Sequence, residues 1–114
     1  MPTTKMSERA LGLPSSLLME MYEKMVLIRT FELKLKELYN AGEIVGTMHL
    51  AAGEEAVSVG VCANLSKEDY LTTTHRAHGH VLAKGSDVNK TMAEFFGKET
   101  GLCRGKGGDM HLAD

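Results

Sequence analysis

The chain has 114 residues, 43% of them hydrophobic and 25% charged, with 12 Gly, 2 Pro, no Trp and a formal charge of −2 from 13 basic and 15 acidic side chains. These proportions suit one globular domain and exclude a collagen, a disordered polyelectrolyte and a disulfide-stapled miniprotein. No apolar run approaches the roughly 20 residues of a membrane span, and the near-neutral balance supplies no basic face for nucleic acid, so neither partner is expected.

The opening Met1-Pro2-Thr3-Thr4-Lys5 lacks the charged-then-apolar order of a signal peptide, and Arg9 alone does not make a transit peptide. A cytoplasmic protein with an arm over residues 1–16 is the expectation. From Leu17 to Tyr39, apolar residues at Leu18, Met21, Tyr22, Met25, Ile28, Phe31, Leu35, Leu38 and Tyr39 repeat at the three-and-four spacing of one helical face. Ser15 or Ser16 after Pro14 is placed to cap this helix, and Asn40-Ala41-Gly42 to end it. Glu20 with Lys24 and Glu32 with Lys36 are spaced for surface i,i+4 pairs. At about 1.5 Å per residue the helix is roughly 35 Å long, a length suited to packing on more than the chain that follows it.

A second helix is expected from Glu54 to Leu65, its acidic start suiting the positive helix end, with Ala56, Gly60 and Ala63 as a small-residue stripe for close backbone approach. Tyr70-Leu71-Thr72-Thr73-Thr74, rich in β-branched residues, predicts one strand. Val88, Met92, Phe95 and Phe96 predict a third helix, capped by Ser86 or Asp87 and stopped at Gly97. Gly97 to Asp114 has no period and reads as a loop. All five histidines and eleven of the 12 glycines lie beyond residue 41, where titratable groups and permissive backbone favour a site. Cys62 and Cys103, 41 positions apart, cannot form a CxxC motif or a thiolate zinc cage and read as reduced thiols.

Three segments carry possible chemistry. In His75-Arg76-Ala77-His78-Gly79-His80, just past the predicted strand, Arg76 offers a guanidinium fork suited to phosphate. The same residues also read as a solvated surface ion pair, or as a zinc site, although their spacing does not bring three imidazoles to one helical face. His49, in a loop before a helix, is able to donate a proton or a hydrogen bond to a reacting oxygen, or to serve structurally. Cys103-Arg104-Gly105-Lys106-Gly107-Gly108-Asp109-Met110-His111 resembles an anion-binding nest but matches neither GxxxxGK[ST] nor GxGxxG, leaving packing loop and functional loop both open.

Taken in order, Arg29-Thr30-Phe31-Glu32, His49-Leu50-x-x-Gly53-x-Glu55-Ala56, His75-Arg76-Ala77-His78-Gly79 and Gly105-Lys106-Gly107-Gly108-x-Met110-His111 resemble the α subunit of the thiamine-diphosphate-dependent E1 component of 2-oxo acid and acetoin dehydrogenase complexes. The likeness covers residues 17–114 as the amino-terminal third of that subunit's domain. It implies an α/β fold, a mainly parallel sheet flanked by helices, of which this segment is a mostly helical part. It also implies thiamine diphosphate and Mg²⁺ as cofactors, with the metal ligands downstream of Asp114. The implied partners are an E1 β subunit in an α2β2 heterotetramer and a lipoyl-bearing E2, with acetoin or pyruvate as substrate and a branched-chain 2-oxo acid as the alternative.

Residue by residue, the resemblance gives Arg76 the cofactor diphosphate. It sets His75 against cofactor and substrate, where a tyrosine is common in pyruvate dehydrogenases, so histidine points to the acetoin branch. It makes His49 the catalytic histidine that hydrogen-bonds the substrate or its adduct. Asp109 stands where serine is frequent, adding a negative charge to a basic loop. A 114-residue chain lacking the metal motif is expected to be inactive alone, and a truncated chain that only packs with a partner is the non-enzymatic alternative.

Overall fold

A computed structural model describes residues 12–114, so the expected arm over residues 1–16 falls mostly outside the described residues. Four helices follow in order: α1 (Ser15–Asn40), α2 (Glu55–Cys62), α3 (His78–Lys84) and α4 (Val88–Phe95). The 26 residues of α1 extend about 39 Å. Neither serine caps it: Pro14 is the N-cap, in an extended conformation, and its carbonyl accepts from Leu18 N–H at 3.1 Å. At the other end Gly42, with φ +76°, reverses the chain as expected.

α1 is the platform on which α2 and α3 pack, and those two also pack on each other. Ile28, Phe31 and Leu35 of α1, Val59 and Cys62 of α2, Leu82 and Ala83 of α3 and Phe95 of α4 form the core, closed by Ile44, Ala77 and Leu112 from the connections. The Phe31 and Phe95 rings lie 6.1 Å apart in a tilted pair, which draws α4 onto α1. Met19, Tyr22, Val26, Leu27 and Leu33 of α1 remain exposed. The expected small-residue stripe is not the close contact, since Ala56 and Ala63 face outward and Gly60 has open space around it. Gly79 takes that part: a Cβ there would meet Ser58 Oγ at 2.6 Å, so its hydrogen lets α3 press against α2 and α1.

The strand expected at Tyr70–Thr74 is absent, and the described residues contain no strand at all. The segment is irregular and exposed, Tyr70 completely so, because β-propensity expresses itself only where a neighbouring strand accepts the backbone hydrogen bonds. The regular structure of the described residues is therefore all helical, in keeping with the expected helical part, and shows no sheet. The second helix is also shorter than predicted, ending at Cys62 rather than Leu65. The third agrees, with Asp87 accepting from Lys90 N–H at 2.8 Å as its cap.

The Gly97–Asp114 loop is irregular as expected, yet its shape is tightly specified. Glu94, on the buried side of α4 and with no exposed surface, accepts backbone N–H bonds from Cys103, Gly105, Gly107 and Gly108 at 2.7–3.2 Å. The nest legible in the sequence is thus filled by the protein's own carboxylate. Burial alone would raise the Glu94 pKa, but the four amide dipoles outweigh it and hold the group below its ordinary value. Gly101, Gly105 and Gly107 are needed here, since a Cβ on any of them would overlap Glu94 or neighbouring backbone. Truncation by Glu94→Ala leaves four amides without their acceptor. We expect it to cost about 3 kcal/mol or more, given that each hydrogen bond to a charged group contributes roughly 1.5–3 kcal/mol. Urea unfolding measures the loss, and faster amide exchange at Gly105, Gly107 and Gly108 locates it.

Candidate functional site

The centre of the site is a chain of alternating acids and imidazoles. His78, the first residue of α3, has no exposed surface. Its Nδ1 lies 2.8 Å from Glu32 Oε1 and its Nε2 lies 2.9 Å from Asp109 Oδ1. Two ionised carboxylates are both satisfied by one ring when both of its nitrogens carry hydrogens, so this geometry favours the imidazolium form of His78. Burial works against that charge, but the hydrogen bond and charge of Glu32, together with those of Asp109, carry the ring above its ordinary 6.5. Phe95 meets the same ring edge-on at 4.8 Å.

The two carboxylates reach onward to the His49 loop. Glu32 Oε2 accepts from Ala51 N–H at 2.6 Å. Asp109 accepts His49 N–H at 2.9 Å through Oδ1 and faces His49 Nδ1 at 2.5 Å through Oδ2. The His49 side chain is 29% exposed, so it forms the open end of an otherwise buried chain. His75, exposed, stands edge-to-face with it at 4.7 Å between ring centroids. Arg76 Nη1 donates to Leu50 O at 2.5 Å, which leaves further guanidinium donors for an anionic oxygen.

The three residues expected to form the site, His49, His75 and Arg76, are therefore brought together at one loop junction. Two of the expectations about their neighbours change. Glu32 does not pair with Lys36 on the surface; it lies buried between Ile28 and Leu35 on the apolar face, bonded to Ala51 and His78. Asp109 is no loose charge on a basic loop, being 8% exposed and shared by two histidines. The hexapeptide's imidazoles point different ways: both His78 nitrogens face carboxylates while His75 stands against His49, and among the described residues no group of three or more such side chains is arranged to hold a metal ion. Sequence reasoning missed Glu32, His78 and Asp109 as a unit; the available signal was a glutamate at an apolar position of the α1 stripe.

A second acid supports the loop from the other side. Glu55 receives Gly53 N–H at 3.0 Å and the guanidinium of Arg29, with Nε 2.5 Å and Nη2 3.1 Å from its two oxygens. The Arg29 hydrogen bond is the main cause that lowers the Glu55 pKa to about 2, against burial and with help from Gly53. The Glu20–Lys24 pair is present at 3.8 Å, and Lys24 also donates to Ala83 O at 3.3 Å, tying α1 to the end of α3. No helix among the described residues is long and apolar enough to cross a membrane. A cleft of about 830 Å³ between residues 67–74 and 110–114 touches neither His49 nor Arg76, so the polar junction, not that cleft, is the candidate site.

These paired motifs define a class. The sequence profile described as "Dehydrogenase E1 component" matches residues 23–114, and the chain belongs to that family. It is similar to the α subunit of acetoin:2,6-dichlorophenolindophenol oxidoreductase of Bacillus subtilis (strain 168), with 61% identity over 82% of this chain and 28% of that one. The Cupriavidus necator α subunit of the same name is 48% identical over 92% of this chain and 32% of its own length. The pyruvate dehydrogenase E1 α subunit of Porphyra purpurea is 47% identical over 83% and 28%. The chain thus spans about a third or less of the length of these relatives.

The site's charges set a pH window. The Glu55 carboxyl titrates at about 2 in the folded chain against an ordinary 4.5, so its contribution to stability is complete above pH 4.5 and is lost as pH falls toward 2. His78 runs the other way: with its folded pKa raised above 6.5, its contribution is complete below that pH and is lost as pH rises through the folded value. Unfolding free energy measured against pH is expected to decline on both sides. Glu55→Gln flattens the acid limb, and His78→Gln flattens the alkaline one.

Proposed function

We propose that residues 17–114 are the amino-terminal part of the thiamine-diphosphate-binding α/β domain of an E1 α subunit, preceded by an arm, acting on acetoin in the cytoplasm. The observation that carries this reading is the junction of Arg76 with the His49 loop. One guanidinium bonds the carbonyl next to His49 while His75 stands against the His49 ring. A cation for phosphate thus lies beside an imidazole open to a reacting oxygen.

The residues present fit part of the implied cofactor. Arg76 would bind the diphosphate, His75 would line the space between cofactor and substrate, and His49 would hydrogen-bond the substrate. Thiamine diphosphate itself supplies carbanion chemistry when bound, and the chain's own residues orient the reacting groups and exclude water. Mg²⁺ requires a set of oxygen ligands, which this reading assigns to residues after Asp114. An E1 β subunit, in an α2β2 assembly, and a lipoyl-bearing E2 complete the proposed system. The identities to acetoin oxidoreductase α subunits support acetoin as substrate. Pyruvate is the second reading, favoured by the similarity to pyruvate dehydrogenase α subunits.

In the complete subunit assembled with its β partner, Arg76→Ala is expected to weaken thiamine diphosphate binding about 10- to 100-fold, the equivalent of one charge-assisted contact. An unchanged dissociation constant by titration calorimetry removes Arg76 from the site. His49→Ala is expected to lower turnover about 100-fold with cofactor retained, whereas wild-type rates return His49 to a structural role. The 114-residue chain alone is expected to show no tight Mg²⁺-dependent cofactor binding, and submicromolar affinity would overturn the reading of it as part of a larger domain.

A further inference from the structure

Asp109 accepts His49 N–H through Oδ1 and lies against two imidazole nitrogens, His78 Nε2 at Oδ1 and His49 Nδ1 at Oδ2. An ionised carboxylate has no hydrogen to give, so Asp109 acts as acceptor toward both rings and the hydrogen on the His49 contact belongs to Nδ1. A neutral imidazole carries one hydrogen, and which nitrogen holds it is set by the bond the other makes. Among the described residues no group bonds His49 Nε2, and the ring's exposure leaves that edge reachable.

We propose that Asp109 is a positioning residue that locks neutral His49 in its Nδ1–H form, leaving Nε2 as a bare hydrogen-bond acceptor at the open end of the site. The lock is stiff because Asp109 is itself clamped. Its Oδ1 is held by His78, His78 is held by Glu32, and Glu32 sits without exposed surface in the middle of α1. Rotating Asp109 away would break its contacts with both rings together and leave a buried charge unpaired.

The locked form selects substrate chemistry. A neutral ring presenting Nε2 as an acceptor takes a hydrogen bond from a hydroxyl and gives none to a carbonyl oxygen. Acetoin carries a hydroxyl next to its carbonyl, whereas pyruvate carries none. This consequence rests on the proposed substrate-facing role of His49, but the tautomer itself does not.

The test is two-bond ¹⁵N–¹H correlation spectroscopy of the 114-residue chain labelled at histidine, read at a pH where the His49 ring is neutral. The wild-type ring is expected to show the protonated-type shift at Nδ1 and the bare-nitrogen shift at Nε2. The reverse assignment, or fast averaging of the two, overturns the proposal whether or not any variant folds. In Asp109→Asn the amide offers one oxygen to two rings, and the protonated-type signal of His49 is expected to move to Nε2. A folded variant that keeps hydrogen at Nδ1 also overturns it. Cofactor titration of the assembled protein reports separately on the functional reading: Nδ1–H in His49 with no cofactor binding would sink that reading and leave the positioning inference standing.

Discussion

A histidine removed from water cannot leave a ring nitrogen unpaired without a cost comparable to a lost hydrogen bond, and His78 meets that demand with charge at both ends. The arrangement is rigid because each member has a second obligation. Glu32 must also serve Ala51 N–H, and Asp109 must also serve His49. Removing one partner from such a buried set leaves an uncompensated charge, typically a loss of about 3–5 kcal/mol. The position of the partly open His49 ring is thereby coupled to the packing of α1, through a histidine and an aspartate that come much later in the chain.

The same device recurs. Glu32 of α1, Glu55 of α2 and Glu94 of α4 are each buried, and each binds backbone N–H groups of an irregular segment. The three shorter helices have 8, 7 and 8 residues, well below the length at which an isolated helix holds itself together in water. Their stability comes from core contacts and from these internal carboxylates, which convert glycine-rich connections into parts with one shape. No buried side-chain nitrogen or oxygen among the described residues lacks a partner, so the charged interior is fully satisfied.

How much of this was legible in the sequence depended on whether a signal was local. The spacing from Leu18 to Tyr39 and the Asp87 cap report on the chain's own periodicity and nearest amides, and both helices stand where expected. The family resemblance singled out His49, His75 and Arg76, and the structure places the three at one junction. Tyr70–Thr74 misled because a strand is a property of two segments and none of the described residues pairs with it. Glu32 misled because i,i+4 spacing to Lys36 is indistinguishable in sequence from a glutamate aimed at a histidine 46 positions away. The clue lay in its neighbours Ile28, Phe31 and Leu35, whose shared face allows a carboxylate only with a partner.

The loop closed around Glu94 has a bearing on how this segment tolerates sequence drift. Its shape comes from four main-chain amides and one carboxylate, with even Arg104 held at φ +56°, a conformation non-glycine residues seldom adopt. Outward side chains such as Lys106, Met110 and His111 take no part in that closure. They can be exchanged while the scaffold under Asp109 stays in place. Natural variation is thus free to remodel this part of the surface, provided the glycines and the single buried glutamate persist.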